Sequence, residues 1–209
     1  MDGVIVDNHE YHFLSWQKLA EKHQIEITEE FYRTQMNGRT FAGIIEVVFQ
    51  GAIPIEKAKE IAYEKERIYR ELYRPYLAPT PGLMDFLEEV KRNQVPIAVG
   101  TSAPVENVEF TLDGLDIRSY FKGVVDDRAV TKGKPDPEVY LKCAEMVNVD
   151  PENCIVFEDA VSGIKAGKAA GAKVIALATS HERHELEADL VVDNFSQVNL
   201  KVINEVLNS

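Results

Sequence analysis

The stretch CIVFEDAVSGIKAGKAAG, residues 154–171, runs from a short apolar segment through two adjacent carboxylates into a helical pattern. A four-residue apolar run that breaks into polar residues and then helix reads as a buried strand feeding a helix. Working outward, residues 95–100, 123–125 and 173–178 are strand-like, with helical patterns between them at 104–112, 137–147 and 160–170. Asp136 stands ahead of Pro137 as a cap, and Thr80-Pro81-Gly82 opens a helix to about Arg92 with Pro81 at its first position. Strands alternating with helices predict an α/β fold, a Rossmann-like doubly wound parallel sheet covered on both faces. Residues 9–78 carry only helical patterns. The longest spans 55–76, with Ile61, Ala62, Ile68, Tyr69, Leu72, Tyr73 and Tyr76 on an apolar stripe. This segment reads as an inserted helical cap (9–78), leaving 1–8 and 79–209 as the core.

Composition narrows the function. A formal charge of −12 disfavours nucleic acid, whose phosphates need clustered Lys and Arg. No run reaches membrane-spanning length and the N-terminus has no basic region before an apolar stretch, so no membrane partner and a cytoplasmic protein are expected, with a monomer as the default for a capped chain of this size. The two cysteines, Cys143 and Cys154, make neither a redox pair nor a zinc site at that spacing; they read as small apolar residues.

Parallel sheets bind ligands at the carboxyl ends of their strands. Thr101-Ser102, Glu158-Asp159 and Asp7, the last after the strand-like run Val4-Ile5-Val6, occupy such ends, and Lys134 lies in KGKP before a helix. Adjacent carboxylates past a buried strand suit magnesium, or they cap the helix that follows. Thr101 and Ser102 offer donors to phosphate oxygens, or simply form a turn. Lys134 balances phosphate charge or is exposed, and Asp2 alone reads as a solvated terminal acid. Lys65, on the apolar stripe, either snorkels or reaches into a cleft.

In order, DGVIVD, VGTSA, KGKPDPEVY and VFEDAVSGIKAGKAAG resemble the four motifs of the haloacid dehalogenase superfamily. DNHEYHFLSW after DGVIV is similar to the beta-phosphoglucomutase-like branch, which includes sugar-phosphate phosphatases. The resemblance implies Mg2+ as cofactor and a small phosphorylated metabolite as substrate. By position, Asp2 would be the general acid/base and, through its carbonyl, a metal ligand. Thr101 would bind the transferring phosphoryl group, and Lys134 would stabilise it and the nucleophile. Glu158 and Asp159 would hold the metal directly or through water. His12 and Lys65 match residues lining the family's cap–core cleft, Arg39 is close enough to serve another ligand, and Ser102 would be a further substrate contact. Arg39 also reads as a solvated charge at a helix start.

The family's nucleophile stands two residues before Asp2, ahead of Met1, on a central strand whose loss would open a groove between its neighbours. The expectation is that the reading frame extends upstream; a genuine truncation would leave an inactive chain. Two departures favour a phosphatase over a mutase. Ala103-Pro104 replaces a serine–lysine pair that grips a second phosphate, and the corresponding cap arginine is replaced near Phe41. A non-catalytic binding module is the alternative from another class. A dehalogenase would not need the metal-binding carboxylates.

Overall fold

The computed structural model describes residues 1–36, 41–51 and 53–209. The chain divides into two compact units, Asn8–Tyr76 and Met1–Asp7 with Leu77–Ser209.

The first unit is helical: α1 (His9–Lys22), a single turn α2 (Glu29–Phe31), α3 (Phe41–Val48) and α4 (Ile55–Tyr73). Its core joins Trp16 and Leu19 of α1 to Ile45, Val48, Ile61 and Ile68. The stripe on α4 buries Ile61, Ile68, Tyr69 and Tyr73, as the spacing predicts. Tyr76 departs from that pattern and is 62% exposed. Pro75 lacks a backbone N–H, so α4 ends at Tyr73 and the chain tightens into a 3₁₀ turn, Arg74–Tyr76.

The second unit contains α5 (Leu83–Arg92), β1 (Val99–Gly100), α6 (Val105–Leu112), β2 (Val124–Val125), α7 (Glu138–Val147), β3 (Ile155–Glu158), α8 (Val161–Ala169), β4 (Lys173–Leu177), β5 (Leu190–Val192) and α9 (Leu200–Leu207). All its strand pairings are parallel, β1 with β2 and β3-β4-β5 in that order. The central strand β4 is the most buried, with Val174, Ile175, Ala176 and Leu177 fully enclosed. Apolar side chains from both faces of a strand in this position need helices on both sides.

Several elements differ from the sequence reading. Val4-Ile5-Val6 does not form a strand. Gly3 adopts a left-handed φ of +65°, and the Val4 and Ile5 amides both turn back to the Met1 carbonyl, at 3.2 and 2.7 Å. Pro81 precedes α5 instead of opening it; Gly82, at φ +79°, is the N-cap. A Cβ there would strike the Ser196 backbone, so only glycine allows this close approach. Asp136 acts close to expectation, its Oδ1 accepting from the Glu138 amide at 3.1 Å, although Pro137 stands between it and α7.

Among the described residues, β1 has a ladder partner only in β2, and β3 only in β4. An apolar cavity of about 380 Å³ is lined by β1 (Val99, Gly100), β3 (Val156, Phe157) and α5 (Phe86, Leu87).

Candidate active site

Glu158 is the last residue of β3 and is only 5% exposed. Both carboxylate oxygens are engaged. Oε1 takes the Lys134 ammonium and the Tyr140 hydroxyl, the latter at 2.5 Å. Oε2 accepts the Asp159 and Ala160 amides at 3.0 and 3.1 Å, which fixes the turn leading into α8. Gly163 lets α8 start this close, because a Cβ there would overlap the Glu158 carboxyl. Burial pushes the Glu158 carboxyl up, but the Lys134 charge, the Met1 amino group and the hydrogen bonds from Lys134 and Tyr140 together outweigh it and hold the group ionised below its usual range.

Asp159 is in the opposite condition. Burial and then the Glu158 charge push its carboxyl up; a Ser180 hydrogen bond and the Met1 amino group work against them, and Asp2 adds a smaller upward push. The Asp2-Gly3 turn lies directly on it: a Cβ built on Gly3 would run into the Asp159 carboxyl. The turn is also tied to Thr80, whose hydroxyl donates to the Val4 carbonyl at 2.6 Å. Asp2-Gly3, Glu158, Asp159 and Lys134 are therefore brought together.

Thr101 follows β1 and is 4% exposed. Its amide donates to the Val125 carbonyl at 3.0 Å, and its hydroxyl accepts from the Ala103 amide at 3.1 Å, so it does shape a turn. Ser102 beside it is exposed. The loop carrying Lys134 is clamped by Glu138, which accepts from the Thr131 amide and hydroxyl (both 2.8 Å), the Lys132 amide (2.9 Å) and Lys142 (2.7 Å). Lys142 first, then Thr131, hold the Glu138 carboxyl down from its ordinary 4.5 to about 2. A depressed carboxylate contributes stability above its unfolded pKa and loses it as pH falls through its folded value. The clamp is expected to weaken between about pH 4.5 and 2, and acid unfolding of Glu138→Gln should lack that component.

His12 and Lys65 are joined within the helical unit. Lys65 is 4% exposed, so it does not snorkel. Its ammonium donates to His12 Nδ1 at 2.6 Å and to Glu66 at 2.9 Å. An ammonium only donates, so His12 Nδ1 is the acceptor; Nε2 lies 3.4 Å from the Asn8 side-chain amide nitrogen, and the imidazole stacks on Tyr69 at 4.1 Å. Arg39 lies outside the described residues. The cysteines are free; burial pushes the Cys143 thiol to about 12, as suits a packing residue.

Sequence reading missed the Tyr140 hydroxyl and the Thr179-Ser180 pair. Tyr140 stood in the quoted KPDPEVY run, and a helical tyrosine after Lys134 must find a partner when buried. Thr179-Ser180 directly follows the 173–178 run, so the strand-end rule that found Thr101 applied there too.

Among the described residues, no group of three or more His, Cys, Asp or Glu forms a cluster that could hold a metal ion. The donors still fit magnesium in part, since burial and the Glu158 charge make the Asp159 carboxylate costly to ionise, a cost that a divalent cation offsets. Glu158 fits less well as a direct ligand, because Lys134, Tyr140 and two amides already take its oxygens.

A parallel α/β sheet with carboxylates and a lysine gathered beyond a strand end is an arrangement that can hold an anionic ligand together with a cation. Residues 1–171 match the haloacid dehalogenase-like hydrolase family, and the chain belongs to it. It is 34% identical to a phosphorylated carbohydrates phosphatase of Thermotoga maritima, covering 99% of this chain and 97% of that one. It is 33% identical to the beta-phosphoglucomutase of Bacillus subtilis, over 98% and 92% of the two chains. The structure matches a family IA hydrolase from Entamoeba histolytica with a TM-score of 0.94 at 26% identity, covering 100% and 97%. No helix among the described residues is long and apolar enough to cross a membrane.

Proposed function

We propose that the chain is a magnesium-dependent phosphatase of a small phosphorylated metabolite, of the sugar-phosphate class, working through an aspartyl-phosphate. What carries the reading is the gathering of Lys134, Glu158, Asp159 and the Asp2-Gly3 turn at one place. The attacking carboxylate of the family stands two residues ahead of Asp2, before the first residue of this sequence.

The remaining roles fall on residues present. Lys134 neutralises the nucleophile and the phosphoryl oxygens, with Glu158 fixing its position until then. Asp2 protonates the leaving oxygen and afterwards takes a proton from the water that cleaves the acyl phosphate. The Thr101 amide is committed to Val125, and its hydroxyl oxygen accepts from Ala103; the hydroxyl proton serves a phosphoryl oxygen. Magnesium, held by Asp159 and the Asp2 carbonyl with Glu158 behind them, would offset the phosphate charge. Ser102, His12, Lys65 and Arg39 are proposed for substrate selection.

A beta-phosphoglucomutase-type activity is the second reading, since identity to the two relatives differs by a single point, 34% against 33%. A mutase must hold a second phosphate. Here the turn after Ser102 presents buried Ala103 and then Pro104, the cap of α6, neither with a charge to offer. The phosphatase reading predicts that a chain supplied with aspartate two residues before Asp2 releases phosphate from sugar monophosphates. Release should stop in EDTA and return with Mg2+. Turnover indifferent to EDTA would contradict it, and binding without turnover would favour a non-catalytic role.

A further inference from the structure

The Asp2-Gly3 turn and the Asp159-Ala160 turn both lie outside regular strands, so their relative placement needs an anchor. Beyond the end of β4 that anchor exists. The Thr179 hydroxyl donates to the Gly3 carbonyl at 2.6 Å, and the adjacent Ser180 hydroxyl donates to the Asp159 carbonyl at 2.8 Å. His181 Nδ1 lies 2.8 Å from the Ser180 oxygen. The Ser180 hydroxyl thus has a second neighbour, the His181 ring, beside the Asp159 carbonyl. β4 itself is paired on both sides, and its Val174–Leu177 run is completely buried, so it is the most rigid support in the sheet.

We infer that Thr179 and Ser180 are positioning residues that clasp the acid/base turn and the metal-ligand turn to one rigid strand end. Resting on the phosphatase reading, this assigns them the spacing between the Asp2 and Asp159 carboxyls. Gly3 packs against the Asp159 carboxyl without room for a Cβ, so slack in either hydroxyl bond is felt directly at the site. Partners behind metal ligands commonly change metal affinity ten- to a hundred-fold.

The test compares the native chain with T179V, S180A and T179S, using Mg2+ alone as the calorimetric titrant and amide hydrogen exchange as an independent readout. T179V and S180A should each weaken Mg2+ binding about ten-fold. T179V should speed exchange at Val4 and Ile5, and S180A at Asp159 and Ala160. T179S, which keeps the hydroxyl, should restore both properties. Affinities within about two-fold of native, or T179S behaving as T179V, overturn the clasp. If the native chain binds no Mg2+, the phosphatase reading fails separately; unchanged exchange in T179V and S180A then overturns the clasp, and faster exchange sustains it.

Discussion

Glu158→Ala is expected to destabilise the core by about 3–5 kcal/mol, the cost of leaving one partner of a buried pair behind. The side chain of Lys134 is 14% exposed and would lose its counter-charge, while the Tyr140 hydroxyl and the Asp159 and Ala160 amides would lose their acceptor. Against a typical domain stability of about 5–15 kcal/mol, this threatens folding at ordinary temperature. Glu158→Gln keeps the shape and one acceptor oxygen, so its loss should be smaller. Urea unfolding of both variants decides the matter. A loss below about 1 kcal/mol in Glu158→Ala would mean that the Lys134 contact forms only weakly, as exposed pairs do.

Gly3→Ala is expected to leave a folded protein with a disabled site. The left-handed conformation costs a non-glycine residue about 1–2 kcal/mol. More seriously, the new Cβ occupies the space of the Asp159 carboxyl, so either that group or the Asp2 turn must shift. Misplacement on the order of 1 Å costs about a hundred-fold in rate, and Mg2+ binding should fall with it. Gly133→Ala is the internal control: it sits in the Lys134 loop, and nothing lies within 4 Å of its Cβ. Native-like Mg2+ binding in Gly3→Ala would show that Asp159 and the Asp2 turn do not act together.

The parallel α/β class was legible because the CIVF and 173–178 runs are short, apolar and separated by helical spacing. Their strands come out as Ile155–Glu158 and Lys173–Leu177. The 95–100 run was read too long. Bonds to its neighbour reach from Ile97 to Thr101, but the regular ladder holds only Val99–Gly100, and Pro96 has no amide to give. Val4-Ile5-Val6 misled for the opposite reason, since apolar character says nothing of the left-handed Gly3 that folds it into a turn. Leu190–Val192 is too short to signal a strand without its partner β4.

The site shows the same division. Lys134, Glu158 and Asp159 stand out because charge near a buried strand end demands a reason. Tyr140, Thr179 and Ser180 do not, because a hydroxyl is equally at home in a turn, a cap or water. Lys65 needed coordinates: helical spacing cannot distinguish a snorkelling ammonium from one enclosed beside His12.

Phosphorus NMR of a hexose 1-phosphate incubated with Mg2+ and a chain carrying aspartate two residues before Asp2 tests the central claim most directly. The account predicts growth of the inorganic phosphate signal, abolished by EDTA, with little conversion to the 6-phosphate. Isomerisation to the 6-phosphate far outpacing phosphate release would contradict it.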